Sequence, residues 1–259
     1  MTSMNIFQAF ILSLVEGITE FLPISSTGHM ILASELLGVE QSEFAKSFEI
    51  IIQFGAILSV VFLYFQRILR NRKFWPQIIA AFIPTGVIGF LGYKLIKTFL
   101  LGNSWVVVAS LFFGGLLMLL LENYFEKQQS EKKDLEAMTL TDALMVGTFQ
   151  NFAVIPGVSR SMSTIFAGLW RGLNRKAAVE FSFILAIPTM AAATGYDLLK
   201  SGMNFSGQEF QLLAVGFVGA FLSAFAAVKY FLKFVEKHSF RGFAYYRIIL
   251  AILFALFVL

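Results

Sequence analysis

The chain has no cysteine, two histidines, five prolines and only 14% charged residues among its 259. Without cysteine there is no disulfide framework and no thiolate chemistry. Two histidines and no thiolate argue against a zinc centre. Soluble domains carry about a quarter of their residues charged, so there is too little charge here to coat a particle in water. The net charge of +4 leaves no footprint for nucleic acid. The first residues, MTSMNIFQAF, lack a basic leader, and Glu16 and Glu20 interrupt the apolar stretch that follows. That stretch therefore reads as part of the mature protein and not as a cleavable signal.

What is present is hydrophobic: 58% of the residues, 31 of them Phe. The missing polar surface must be lipid. Six stretches, roughly 48–66, 76–98, 104–121, 179–198, 211–232 and 243–259, approach the 20 or so apolar residues that a bilayer crossing needs. Two more, 5–38 and 142–169, are apolar but broken by Pro, Gly, Ser and ionisable residues. These predict short paired, re-entrant helices around loops, which must be buried in protein or line a wet cavity. The expected fold is an all-α, polytopic membrane protein forming a single domain.

Basic residues predict the orientation. Numbered along the spans, fourteen of the 20, from Arg67 and Arg70 through Lys132, Arg171 and Arg175 to Lys237 and Arg241, fall on one side. Lys46, Lys94, Lys97 and Lys200 fall on the other, and Arg160 and Arg247 lie within apolar segments. The positive-inside rule makes the first side cytoplasmic and turns both termini outward.

The hydrophilic stretch 122–141 divides the chain into related halves, 1–121 and 142–259. A shift of 134 lays Glu16 on Gln150, Ser25 on Ser159 and Ser26 on Arg160, and the order of elements repeats: a broken segment, then three spans. Three crossings per half predict an inverted repeat, which brings the two broken segments together near the midplane.

The first loop reads VEGITEFLPISSTGHMIL. Glu16 and Glu20, four apart, share a helix face. Pro23 stops that helix, Ser25, Ser26 and Thr27 stand where a second begins, and His29 lies three residues beyond Ser26. The second loop reads NFAVIPGVSRSMSTIFAGL. Here Pro156 and Gly157 break the chain, and Ser159, Arg160, Ser161 and Thr164 crowd the next helix start. Helix N-termini with hydroxyls and an Arg fork suit phosphate. Taken singly, the serines read as caps, His29 as a satisfied core group and the arginine as one that snorkels to the headgroups. Together they are intramembrane charges, each costing on the order of 2.5 to 3.5 kcal/mol at a helix centre, and such sets default to function. Glu49 and Gln53 on the first long span are candidates for lining the same cavity, with Glu180 and Asp197 looser ones. His238 reads as a headgroup-facing or solvated residue. Gly86, Gly89, Gly92, Gly114 and Gly115 read as points of close helix approach.

At these loops the sequence resembles the undecaprenyl-pyrophosphate phosphatase family, the bacitracin-resistance integral membrane phosphatases of bacteria. EGITEFLPISSTGH from Glu16 to His29, PGVSRSMST from Pro156 to Thr164 and FEIIIQFGAILSVVF from Phe48 to Phe62 carry the resemblance, which covers the whole chain. Met162 and Ser163 depart from the family's usual Gly-Ala. The resemblance implies hydrolysis of the terminal phosphate of undecaprenyl pyrophosphate, which regenerates the lipid carrier of cell-wall synthesis. It also implies a divalent cation, magnesium or calcium, a place in the bacterial inner membrane among its lipids, and a homodimer. The charge count favours a site open to the periplasm or exterior.

On this reading Ser26 is the candidate nucleophile and His29 the group that takes its proton or protonates the leaving phosphate. Glu16 and Glu20 hold the metal or orient His29. Arg160 supplies positive charge, and Ser25, Thr27, Ser159, Ser161 and Thr164 bond phosphate oxygens. Residue types alone do not choose between Ser26, His29 and water as nucleophile. A rival reading is an inverted-repeat transporter or flippase for an anionic lipid or small anion, since the same charges would bind such a substrate without cleaving it.

Overall fold

A computed structural model describes residues 4–40, 42–70, 74–99, 104–127, 132–201, 205–257 and 259, without the side chains of 69, 70, 90, 92–99, 197, 200 and 201. The described residues are helical, with no β-strand among them. Helices α1 (Ile6–Thr19) and α2 (Ser26–Leu36) are followed by α3 (Glu43–Arg70), α4 (Trp75–Phe99) and α5 (Ser104–Lys127). The order then recurs as α6 (Leu140–Gln150), α7 (Arg160–Trp170), α8 (Arg175–Ser201), α9 (Gly207–Val235) and α10 (Arg241–Phe257). Five of the six apolar stretches lie each on one helix and the last, 243–259, lies on α10 as far as Phe257; four helices, α3, α5, α8 and α9, are long and apolar enough to cross a membrane.

Local chemistry sets the helix starts. Asn5 with Gln8, Thr139 with Asp142 and Ser206 with Glu209 form reciprocal capping boxes that begin α1, α6 and α9. The helices run past the apolar stretches into charged ends, as in α3, which extends from Glu43 to Arg70.

Both broken segments are hairpins whose ends meet. Gln8, in the first turn of α1, donates to the carbonyl of Leu37 beyond α2 at 3.0 Å. Asp142, in the first turn of α6, accepts from Arg171 beyond α7 at 2.8 Å. Equivalent long helices run antiparallel. Near the end of α3, Arg67 reaches Glu180 near the start of α8 at 2.7 Å, and Thr194 late in α8 donates to the Ile50 carbonyl early in α3 at 3.4 Å. Arg241 at the start of α10 reaches Asn123 and Glu126 near the end of α5. Pairing also crosses between halves, since α1 packs on α9 while α6 packs on α4.

Helices in lipid gain no hydrophobic energy by leaving it, so small residues that let backbones touch drive their packing. A Cβ built on Gly147 of α6 would fall on the Ala81 carbonyl of α4, and one on Gly115 would meet Ile248 at 2.7 Å and the Ala244 carbonyl of α10 at 2.9 Å. Gly86 and Gly89 do not serve this way: Gly86 faces only Phe82 of its own helix, and no atom of another element lies within 4 Å of a Cβ on Gly89. The helix face they occupy is not a packing seam, and the side chains around Gly92 lie outside the described residues. Phe21, Phe48, Phe181, Phe183 and Phe231 fill the interior, while Phe7, Phe62, Leu91, Leu120 and Phe257 point outward.

Of the basic residues assigned to one side, Arg67, Lys133, Arg171, Arg175, Lys176 and Arg241 gather with acidic partners at one end of the bundle, while Arg72 and Lys73 lie outside the described residues. Arg67 with Glu136 and Glu180, Lys133 and Arg171 with Asp142, Arg175 with Glu122, Lys176 with Glu236 and Arg241 with Glu126 all pair there. His238, exposed at the same end, stacks on Phe234 with ring centroids 4.4 Å apart.

Candidate active site

The hairpin tips meet inside the bundle. α1 continues in helical backbone through Glu20, whose amide still bonds the Glu16 carbonyl at 2.9 Å, before Pro23 interrupts the pattern. Ser25 caps α2 with φ 73° and ψ 93° and accepts from the Gly28 amide at 3.3 Å. Ser159 caps α7 with φ 73° and ψ 116° and accepts from the Met162 amide at 3.2 Å. They are the non-glycine residues of positive φ among the described residues, in a region that costs an L-residue on the order of 1–3 kcal/mol. The turned caps bring the first residues of the two helices, Ser26 and Arg160, to one carboxylate, Glu20 of the first hairpin.

Glu20 is the hub. One carboxylate oxygen, Oε1, accepts from Arg160 Nη2 at 2.9 Å. The other, Oε2, accepts from the Ser26 hydroxyl in a short hydrogen bond and from Gln53 Nε2 at 3.3 Å. Arg160 also donates through Nη1 to the Ser182 carbonyl at 3.0 Å and lies 5.7 Å from the Phe21 ring centroid. Its Nε is buried and makes no hydrogen bond within the described residues. Ser26, Glu20 and Arg160 are thus brought together from three helices, and Gln53, expected only to line the cavity, bonds the central carboxylate directly.

Glu16 lies one turn before Glu20, within reach of Glu20, Glu49 and Arg160. It is 2% exposed, and its Oε1 is buried without a partner among the described residues. Glu49 is half-buried and accepts from Ser34 at 3.2 Å. Ser161 donates to the Leu22 carbonyl at 2.7 Å, which ties the second hairpin to the first, and its hydroxyl lies 3.1 Å from that of Ser159. Thr164 bonds the Ser182 hydroxyl at 2.7 Å.

Other expected residues stand apart. The two ring nitrogens of His29 are both engaged away from Ser26: Nδ1 lies 2.7 Å from the Ser25 carbonyl and Nε2 lies 2.8 Å from the Tyr246 hydroxyl, with the two rings stacked. A carbonyl can only accept, so Nδ1 carries the proton and the tyrosine hydroxyl donates to Nε2. The partner that accepts the Ser26 proton in this structure is Glu20. Thr27 is exposed, off the cluster. Glu180 sits at the charged end with Arg67, and the side chain of Asp197 lies outside the described residues.

Three residues escaped the sequence reading. Ser182 lies in an apolar run with nothing to mark it, and Tyr246 looks like one of many interfacial aromatics. Arg247 did carry a signal, as an ionisable residue within an apolar segment, but not its partners.

Among the described residues no three His, Asp or Glu converge to hold a metal ion. The pair Glu16 and Glu20, with one orphaned buried oxygen, nevertheless suits a hard cation of the magnesium kind, which takes one or two carboxylates and completes its shell from substrate phosphate and water. The cluster as a whole offers a hydroxyl with a carboxylate to take its proton, a guanidinium with a spare donor, and two helix N-termini. Such a set has the parts that displacement at phosphorus calls for: a hydroxyl, an acceptor for its proton and fixed positive charge.

Residues 9–253 match the family model described as bacitracin resistance protein BacA. The chain is 55% identical over 256 residues to the undecaprenyl-diphosphatase of Aquifex aeolicus, covering 99% of this chain and all of that one. The undecaprenyl-diphosphatase of Sulfurihydrogenibium sp. is 51% identical over 253 residues, 98% of this chain and 99% of that one. That of Thermus thermophilus is 48% identical over 262 residues, covering both chains in full.

Proposed function

The chain belongs to the family of the bacitracin resistance protein BacA, and we propose that it is an undecaprenyl-diphosphatase whose reaction runs on Glu20, Ser26 and Arg160. It is an integral membrane enzyme. It removes the terminal phosphate of undecaprenyl pyrophosphate and returns the monophosphate carrier to cell-wall synthesis.

The single observation that carries the site assignment is the carboxylate of Glu20, which accepts the Ser26 hydroxyl on one oxygen and Arg160 on the other. The Ser26 oxygen attacks the terminal phosphorus, its proton passes to Glu20 and on to the bridging oxygen as that P–O bond breaks, and the lipid monophosphate leaves with Glu20 again a carboxylate. Water then attacks the phosphoserine, with Glu20 as base, and frees inorganic phosphate while Ser26 regains its proton. Arg160, with Nε free and Nη1 anchored on Ser182, holds charge against the equatorial oxygens. The amides at the start of α2 and α7, with Ser25, Ser159 and Ser161 around them, complete the anion seat, and Thr164 stands behind them on Ser182. Glu16 and Glu20 would hold a magnesium or calcium ion, which when bound neutralises phosphate charge. His29 ties the start of α2 to α10, through the Ser25 carbonyl on one side and the Tyr246 hydroxyl on the other.

The isoprenoid chain takes an apolar groove of about 700 Å³ between α5, α6 and α7, whose wall includes Phe113, Leu117, Phe149, Val158, Met162 and Trp170. Antiparallel pairing of α3 with α8 and of α5 with α10, with the hairpins entering from opposite ends, supports an inverted repeat in which α1 and α2 enter from the periplasmic side and α6 and α7 from the cytoplasmic side. Six long helices then cross, both termini face outward, and the charged end lies in the cytoplasm. The surrounding lipids cover the outward Phe and Leu residues, and a homodimer is consistent with that apolar exterior.

Purified protein should release phosphate from a polyprenyl diphosphate, and Arg160→Ala should abolish that release. Turnover of the variant near the wild-type rate would remove Arg160 from the site, and turnover unaffected by a chelator would remove the cation.

A further inference from the structure

Arg247 of α10 is fully buried and heads the fully buried side chains in volume. Its guanidinium makes no ion pair among the described residues and is satisfied almost entirely by main-chain carbonyls. Nη1 donates to Pro23 at 3.2 Å and Val158 at 3.3 Å, with the Met162 sulfur at 3.4 Å. Nη2 donates to Gly157 at 2.7 Å and Ser110 at 3.0 Å, and Nε reaches Leu111 at 3.5 Å. A buried charge in a membrane protein is costly, and one held by dipoles in place of a counterion more so. Its acceptors explain what the charge is for. Pro23 lies two residues before the strained cap Ser25, and Gly157 lies two residues before the strained cap Ser159. One planar fork therefore holds the chain just upstream of both caps, from a helix that belongs to neither hairpin.

We propose that Arg247 is a positioning residue for the phosphatase reaction. By clamping the carbonyls of Pro23, Gly157 and Val158 it keeps Ser25 and Ser159 in their left-handed backbone and so sets where Ser26 and Arg160, the next residue in each loop, present their side chains. The inference rests on the phosphatase reading for its consequence, but not for its geometry. A lysine would keep the charge yet offer one ammonium where a fork spans both loops. Gly114 offers a second, independent way to disturb the clamp, since a Cβ built there falls on Arg247 Nη2 and displaces the fork without touching the charge.

The test compares Arg247→Lys and Gly114→Ala with Glu122→Gln, which disturbs a buried carboxylate bonded to Arg175 and the Phe240 amide at the charged end, away from the loops. Two readouts are taken on each, both normalised to folded protein in detergent. One is kcat and KM on a polyprenyl diphosphate. The other is the distance distribution between spin labels on Leu36→Cys and Trp170→Cys, placed in the naturally cysteine-free chain at exposed positions at the far ends of α2 and α7. Arg247→Lys and Gly114→Ala are expected to lower kcat on the order of 10²-fold, with KM within about threefold, because misplacement by about an ångström costs that much. They are also expected to broaden the label distance, while Glu122→Gln lowers the melting temperature and does neither. The proposal is overturned if both variants keep kcat within about twofold, if the distance changes without loss of turnover or turnover falls without a distance change, or if Glu122→Gln reproduces the kinetic loss. Should the wild-type protein release no phosphate, the phosphatase reading falls, and the label distance alone decides the clamp.

Discussion

Ser25 and Ser159 stand 134 positions apart and share one backbone conformation: φ is 73° at each, each caps an 11-residue helix, and each accepts from the amide three residues on. Strain of this kind persists only where the surroundings over-determine it. Here it is duplicated at the two points that deliver Ser26 and Arg160 to Glu20.

Because the strain belongs to the backbone and the cap to the side chain, substitutions at Ser159 separate them. Glycine removes a penalty of about 1–2 kcal/mol for left-handed backbone and loses only a few tenths of the cap, whereas alanine keeps the strain and loses about 1 kcal/mol of capping. Thermal unfolding in detergent should rank Ser159→Gly at or above wild type and Ser159→Ala below it. Alanine outranking glycine would contradict the backbone assignment.

Glu20, and not His29, receives the Ser26 hydroxyl. Turnover should therefore fall about 10²–10⁴-fold in Glu20→Gln, the range of a lost general base, and by less in His29→Ala. Quenching the wild type with labelled substrate should trap an acid-stable phosphoester that Ser26→Ala lacks. An acid-labile adduct would transfer the nucleophile's role to His29.

Thr164 stands behind Arg160: its hydroxyl bonds Ser182, which in turn receives the guanidinium, and the Arg160 carbonyl at 3.0 Å. Thr164→Val keeps the volume and removes the hydroxyl's bonds to the Arg160 and Ser161 carbonyls and to Ser182; losing the Ser182 link, worth about 1 kcal/mol, should drop kcat/KM roughly fivefold. A loss as large as that of Arg160→Ala would place Thr164 on the substrate itself.

At the charged end, burial by itself would raise the pKa of Asp142. The Thr139 amide, the Arg171 guanidinium, the Thr139 hydroxyl and Lys133 together overcome this and hold it below the ordinary value of 3.8. A lowered carboxylate pKa stabilises the fold fully above the ordinary value, and that stabilisation is lost as pH falls through the lower, folded value. Melting temperature measured down the acid limb should therefore fall more steeply for wild type than for Asp142→Asn, which starts lower at neutral pH. Parallel curves would show that Asp142 does not link folding to protons.

On the proposed inverted arrangement Glu43 and Glu136, both exposed, lie on opposite faces of the membrane. An impermeant thiol reagent applied to intact cells should label Glu43→Cys and spare Glu136→Cys. The reverse pattern would turn the molecule over.

Much of this was legible in the chain because membrane proteins obey strong one-dimensional constraints. Backbone polar groups in lipid must be satisfied within helices, so apolar length located the long helices, and scarce charge located the loops between the short ones. The start signals at Ser25 and Ser159, and the pairing of those two serines under a shift of 134, were likewise written in local residue order. What a linear pattern does not carry is which side chain a residue meets across the bundle. Whether Ser26 faces His29, three residues away, or Glu20, six residues back, depends on a left-handed turn at Ser25 and on Tyr246, 217 residues distant from His29, drawing the imidazole aside. Gln53, Ser182 and Arg247 gained their roles in the same way, from α3, α8 and α10 closing around the hairpin tips. Composition and order decided that the protein lives in lipid and that its interior charges fall at two broken helices. Only the packing of helices from both halves decided which carboxylate takes the serine's proton, because hydrogen bonds select partners by a few tenths of an ångström, a scale set by tertiary contact and not by sequence spacing.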